Sequence, residues 1–92
     1  MALEKVSDHE VFSTDGYRIK FGTGVISYIL GTRYLTIPTE QRGGAICVCL
    51  TRSSPWMEFG QPCETEGTLS IMWLRSQITA ALMLLERPFL FE

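Results

Sequence analysis

The chain lacks the features that place a protein in or across a membrane. No uninterrupted apolar run in its 92 residues approaches the roughly 18 that a membrane-spanning helix requires. Its opening segment, MALEKVSDHE, carries acids where a secretory signal carries a positive start and then an apolar block. Its three cysteines are an odd number, whereas a secreted disulfide framework uses cysteines in pairs. These absences predict a cytoplasmic protein with no membrane partner.

A surplus of positive charge is also absent. Eight Lys and Arg residues stand against ten Asp and Glu residues, which gives a formal net charge of −2. A general nucleic-acid binder needs excess cations to contact phosphates, so this composition predicts no nucleic-acid partner. In the segment YRIKF, Arg18 and Lys20 alternate with three large apolar residues. Two cations are too few for a basic patch, and we interpret them as the solvated face of a strand.

The chain has no recognisable catalytic or cofactor motif. His9 is the only histidine, so a Ser-His or Cys-His pair would have to use it, yet it lies in a polar segment between two acids. The glycines of GTG, at residues 22–24, lack the rest of a phosphate-binding fingerprint. We therefore predict no enzymatic activity and no cofactor. An enzyme that used Cys63 or His9 would need these two residues to be close together and reactive.

Cys47 and Cys49 form a Cys-x-Cys pair inside the apolar segment AICVCL. On a strand both sulfurs would lie on one face, with backbones roughly 6.5 to 7 Å apart, which is too far for an easy disulfide. With His9 and Cys63 they could complete a zinc tetrad. Zinc ligands usually come in pairs from turns, so we interpret both cysteines as small core residues and predict no metal site.

Short apolar runs alternate with turn residues along most of the chain. We predict one domain over residues 1–92, with a flexible leader at residues 1–9. Asp15 and Gly16 are suited to the tight turn of a hairpin. Pro38 is expected to end the strand RYLTIP, because proline cannot donate a hydrogen bond to a neighbouring strand. The run AICVCL predicts the central strand of the sheet.

The segment IMWLRSQITAALMLLE contains neither Gly nor Pro and predicts a long helix with Ser70 as its N-cap. Its expected core stripe consists of Ile71, Leu74, Ile78, Ala81, Leu82 and Leu85. Trp73 and Leu84 fall on the opposite side and could form a homodimer face; alternatively, Trp73 folds over the sheet edge beside Trp56. The predicted fold is α+β: an antiparallel sheet of about five strands packed against one long C-terminal helix, followed by a short terminal strand at FLFE.

The segment TRSSPWMEFGQPCETEGTLS, residues 51–70, interrupts this regular pattern. It combines large apolar groups with carboxylates, which is typical of recognition surfaces, since aromatic rings supply contact area and acids attract a basic partner. The predicted partner-binding residues are Trp56, Glu58, Phe59, Glu64 and Glu66. An alternative interpretation is that Trp56 and Phe59 plug the core while the glutamates keep the loop solvated.

The order of these features resembles a known family. Antiparallel strands followed by SSPWMEFGQP, a helix start at TLS, the segment ITAAL and the closing strand FLFE resemble, over residues 14–92, the small immunity proteins that bacteria encode beside polymorphic or contact-dependent toxins. The best matches are the spacing of Trp56 and Pro62 and the helix segment at residues 78–82, which describe a fold rather than a site.

The resemblance implies a cytosolic inhibitor that binds a cognate toxin domain, often a nuclease, and blocks it. Against a nuclease, the carboxylates of the 51–70 segment could occupy the positions of phosphates. The alternative is a small oligomeric structural or accessory protein, of phage or bacterial type, that dimerises through its helix.

Overall fold

The computed structural model describes residues 3–14, 16–63 and 71–92. Within these residues the chain forms nine strands, one 3-10 helix and one α-helix. In chain order the strands are β1 (Leu3–Ser7), β2 (Glu10–Ser13), β3 (Tyr17–Gly22), β4 (Val25–Leu30), β5 (Arg33–Arg42), β6 (Ala45–Val48), β7 (Met57–Glu58), β8 (Gln61–Pro62) and β9 (Phe89–Phe91). The 3-10 helix is Leu50–Arg52 and the α-helix, α1, is Ile71–Leu84.

Seven of the strands form one curled sheet that resembles half of a barrel, in the order β1-β2-β3-β4-β5-β6-β9. From β1 to β6, each strand pairs in antiparallel orientation with the next one in the sequence. After the helix, β9 returns and pairs with β6 in parallel, so the sheet is mixed. The short strands β7 and β8 form a hairpin, and β7 pairs with the start of β5.

The predicted α+β arrangement is wrong. Strands account for 52% of the structure and α1 is a single helix of 14 residues, so the fold is a mostly β half-barrel instead of five strands on a long helix. The sequence predicts too few strands. One reason is that β1, with the polar sequence LEKVS, lies in the segment predicted to be a flexible leader. The helix still contributes Leu74, Ile78, Ala81 and Leu82 to the same core as the strands.

The first strands follow the expected alternation of apolar and polar residues. In β3, Ile19 and Phe21 are buried in the core while Arg18 and Lys20 are exposed. The hairpin predicted between β2 and β3 is confirmed, and Gly16 in its turn has a φ of 98°, a left-handed conformation that favours glycine. The alternation of side chains therefore decides which face of the curled sheet lies against the core.

Strand β5 does not end at Pro38 as predicted but continues to Arg42. Up to Pro38 the strand pairs with β4, and from Thr39 onward it pairs with β6. Proline is tolerated at this change of partner because it lacks only a donor, and its carbonyl accepts a hydrogen bond of 2.9 Å from the Cys49 N–H. One long strand thereby joins the two parts of the half-barrel.

Strand β6 is not the central strand that its apolar sequence suggested. It is second from one end of the sheet, and β4 occupies the centre. Cys47 and Val48 are adjacent in β6, so they face opposite sides of the sheet, and both are fully buried. The apolar run AICVCL thus results from burial of both faces of β6 and not from a central position.

Candidate functional site

The segment after β6 runs back along the edge of β5 and ends in the β7–β8 hairpin. Ser54 fixes this path through two hydrogen bonds to Thr36 of β5. The Thr36 N–H donates to Ser54 Oγ over 2.9 Å, and the Ser54 N–H donates to the Thr36 carbonyl over 2.8 Å. The hairpin is therefore attached to a central part of the sheet, although its own two strands are only two residues long each.

Trp56 lies at the base of this hairpin and is only 8% exposed. Its ring meets the Tyr28 ring edge to face, with 5.9 Å between the ring centres. Its carbonyl accepts a hydrogen bond of 2.9 Å from the Cys63 N–H, which closes the base of the hairpin. Trp56, predicted as a partner contact, is thus a core residue that supports the hairpin. The alternative interpretation placed both Trp56 and Phe59 in the core, and only Trp56 is buried there.

Phe59 occupies the tip of the hairpin and has the opposite environment. Its side chain is 83% exposed, and its φ is 51°, in the left-handed region that bulky residues rarely adopt. Gly60 follows with a φ of 79°. Two successive residues with positive φ are typical of the tight hairpin turn that strongly favours Asn-Gly or Gly-Gly, so Phe is an unfavourable residue at this position. We name residues 57–62 the Phe59 hairpin.

Glu58, beside Phe59, is held by residues of the turn and strand next to it. Its Oε2 accepts a hydrogen bond of 2.6 Å from Thr32 Oγ1 and lies 3.6 Å from Arg33 Nε. The carboxylate is therefore compensated by a cation and orients the hairpin against β5. The other two predicted acids of the segment, Glu64 and Glu66, lie outside the described residues.

The two residues of the predicted dimer face, Trp73 and Leu84, have different environments in the structure. Trp73 packs against the sheet, with ring centres 5.1 Å from Tyr17 and 5.7 Å from Tyr28. Leu84 is 40% exposed and stands apart from Trp73. The largest exposed apolar groups of α1 are instead Met72 and Met83, about three turns apart on one side of the helix. The sequence missed them because the apolar residues of α1 occupy nearly every direction around its axis.

His9 does not meet a cysteine in the structure. Arg87 donates a hydrogen bond of 3.0 Å to His9 Nδ1, because a guanidinium has no acceptor, and it donates another of 2.8 Å to the Asp8 carbonyl. A groove of about 410 Å³ lies beside these residues, and its described lining contains no cysteine and no carboxylate. The described neighbours of His9 are therefore Arg87 and the groove residues, and no cysteine lies beside it to form a Cys-His pair.

The four residues considered as a zinc tetrad, which are His9, Cys47, Cys49 and Cys63, do not come together in the structure. Cys47 and Cys49 lie close together, but their third neighbour is Glu92, in place of His9 or Cys63. Burial and the nearby Glu92 carboxylate raise the pKa of the Cys49 thiol. We name Cys47, Cys49 and Glu92 the cysteine cluster.

No family model, curated protein or solved structure matches this chain. Among the residues that the structure describes, no helix is long and apolar enough to span a membrane.

Proposed function

We propose that this protein acts by binding another protein through the Phe59 hairpin, and that the partner is a toxin domain that it inhibits. The observation that carries the proposal is Phe59 itself, a large ring that is 83% exposed on a backbone with a φ of 51°. A left-handed conformation costs a non-glycine residue about 1 to 2 kcal/mol. An exposed ring also gains none of the free energy that its burial in the core would give. Strain of this kind tends to persist where it serves a function.

The base of the Phe59 hairpin supports this proposal because it holds the ring in a fixed place. Trp56 below it is buried, Ser54 is bonded to β5 on both its N–H and its hydroxyl, and Glu58 is tied to Thr32. A contact residue on a rigid support loses little conformational entropy on binding. Aromatic residues on such supports supply much of the energy of protein interfaces.

A toxin domain is the proposed partner because of two further properties. The chain carries a net charge of −2, and its 51–70 segment, which contains Phe59, resembles the corresponding part of small bacterial immunity proteins. An acidic inhibitor suits a basic target such as a nuclease, since opposite charges accelerate association. The proposed role is that of a non-enzymatic cytoplasmic inhibitor.

The test uses the carboxy-terminal domain of a large secreted protein encoded next to this gene. Its affinity for the wild-type protein is measured by calorimetry and compared with that of Phe59→Asn, which suits the turn but removes the ring. We expect Phe59→Asn to bind at least tenfold more weakly while remaining folded. Met83→Gln, an exposed substitution on α1, serves as the matched control and should bind normally.

Two outcomes would contradict the proposal. If the neighbouring genes encode no such secreted protein, the immunity function is wrong. If the domain binds but Phe59→Asn retains full affinity, the Phe59 hairpin is not the contact surface. For the nuclease partner in particular, charge reversal of Glu64 and Glu66 should slow association, and unchanged kinetics would argue against acids acting in place of phosphates.

A second candidate is an accessory protein that dimerises through α1. It is favoured by the exposure of Met72 and Met83, at 82% and 67%, on one side of the helix. Sedimentation of the purified protein separates the two candidates. A dimer that Met72→Lys and Met83→Lys together convert to a monomer would favour this function, and a wild-type monomer would exclude it.

A further inference from the structure

The cysteine cluster lies where β6 and β9 run in parallel. In this pairing Cys47 is opposite Leu90 and Val48 is opposite Phe91. The Glu92 N–H donates a hydrogen bond of 3.1 Å to the Val48 carbonyl, which extends the pairing by one residue and places Glu92 next to Cys49. Cys49 Sγ lies 3.8 Å from Glu92 Oε2.

The three possible ligand atoms of the cluster lie close together. The two sulfurs and a Glu92 oxygen all lie within 4.8 Å of one another. Both cysteines are free thiols and both are fully buried. The Glu92 side chain is 30% exposed, so the cluster borders solvent on the side of this carboxylate. A small ion could reach the thiols past this carboxylate.

Two arginines surround the exposed side of the cluster. Arg42 Nη2 lies 3.2 Å from Glu92 Oε2, and Arg52 Nη2 lies 3.0 Å from Glu92 Oε1. Both arginines also pair with Glu40, at 2.9 and 3.7 Å. These ion pairs fix the orientation of the Glu92 carboxylate, as hydrogen-bonding neighbours of the ligands do at metal sites. They also place positive charge where a pair of thiolates would need compensation.

We propose that Cys47, Cys49 and Glu92 form a binding site for one thiophilic metal ion, Cu(I). Thiolate ligands select soft ions such as Cu(I) and Zn²⁺. Structural zinc takes four protein ligands, whereas this cluster offers three, one of which already binds two arginines. Cu(I) is satisfied by two or three ligands. On binding, two copper–sulfur bonds replace two S–H bonds, both protons leave to solvent, and the oxidation state of copper does not change.

The complex also has a suitable charge. A Cu(I) ion with two thiolates carries a net charge of −1, and Arg42 and Arg52, which pair with Glu92 and Glu40, place two positive charges beside it. The cluster is separate from the Phe59 hairpin, so the proposal does not depend on the proposed binding function. A buried bis-thiolate site of this kind suits storage or sensing of the ion and not catalysis, because both cysteines are buried and a substrate larger than a small ion would not reach the metal.

The test titrates the full-length protein with the Cu(I)–bicinchoninate complex under anaerobic conditions. We expect one equivalent of Cu(I) to transfer to the wild-type protein, and X-ray absorption to show two sulfur neighbours per copper. Cys63→Ser is the matched control, because Cys63 lies outside the cluster, and it should bind like the wild type. Cys49→Ser should weaken binding at least 100-fold, and Glu92→Gln by about tenfold.

Circular dichroism shows whether each variant is folded. If Cys49→Ser does not fold, the X-ray absorption of the wild-type protein and the Glu92→Gln titration decide the question without it. Failure of the wild-type protein to compete with bicinchoninate would overturn the proposal. So would loss of binding in Cys63→Ser, a copper site without two sulfur neighbours, or a preference for Zn²⁺ over Cu(I).

Discussion

The two cysteines of the cysteine cluster and the Phe59 hairpin lie at opposite ends of residues 47–62. The two sites are built in opposite ways. In the hairpin a large apolar ring is exposed on a strained backbone, above a buried Trp56. In the cluster, polarisable sulfurs are hidden beneath a surface layer of ion pairs. An exposed ring suits the broad surface of a macromolecule, whereas hidden sulfurs can be reached only by a small ion. A chain of 92 residues thus has two separate candidate sites.

Of the substitutions that test this comparison, one at Trp56 is expected to change the free energy of unfolding most. Trp56→Ala should lower the free energy of unfolding by about 3 to 5 kcal/mol, because it leaves a cavity beside Tyr28 in the core. Urea denaturation measures the change. Phe59→Ala, three residues away but exposed, is the control and should change stability by less than about 0.5 kcal/mol. Equal losses in the two variants would mean that Phe59 is also a packing residue.

The attachment of the hairpin to β5 should show the next largest effect. Ser54→Ala removes the hydroxyl that accepts the Thr36 N–H, and leaving this donor unpaired should cost about 1 to 2 kcal/mol. Hydrogen exchange should show faster exchange of the Thr36 amide in this variant. Ser53→Ala changes a neighbouring serine whose hydroxyl makes no hydrogen bond among the described residues, and its Thr36 amide should exchange at the wild-type rate.

Strain at the hairpin tip predicts a gain of stability. Phe59→Asn should raise the free energy of unfolding by about 1 kcal/mol, since Asn adopts a positive φ more readily than Phe. Thermal unfolding measures the gain. Phe59→Val should instead be destabilising, because a β-branched residue adopts this conformation least readily. If Phe59→Asn were less stable than the wild type, the strain assigned to this turn would be absent.

The smallest expected effect is the pH dependence of the free energy of unfolding that the Cys49 thiol contributes when no metal is bound. The pKa of the Cys49 thiol is raised in the folded protein by burial and by Glu92. Below the ordinary thiol pKa of about 8.5, both states keep the proton and the shift contributes nothing. Above it the unfolded chain loses the proton first, so stability should fall as pH rises. Cys49→Ala should show a shallower fall between about pH 8 and 10 when both proteins are unfolded in urea.

The hairpin of β2 and β3, in the first half of the chain, could be predicted because its structure depends on local pairing. The turn at Gly16 and the alternation of Ile19 and Phe21 with charged residues are sequence signals of a hairpin, and both are confirmed. The core stripe of α1 was predicted for the same reason, since Leu74, Ile78, Ala81 and Leu82 follow the helical period and are buried.

The second half depends on contacts between distant residues, which leave no local signal. β9 pairs with β6 across about 40 residues, so nothing in FLFE shows that Glu92 will reach Cys49. The same limit applies to Trp56 and Phe59. Both are aromatic residues between two prolines, and only the register of β7 on β5 decides that one is buried and the other exposed.

The open form of the half-barrel has a consequence for aggregation. Among the described strands, β1 and β9 each have a strand neighbour on one side only, and unpaired edges invite addition of strands from other molecules. β1 carries the exposed charges of Glu4 and Lys5, and its register is interrupted between Lys5 and Ser7. β9 is only three residues long. Charge, a bulge and brevity thus protect both rims, and the protein should stay dispersed at concentrations where a flat, uncharged edge would seed fibrils.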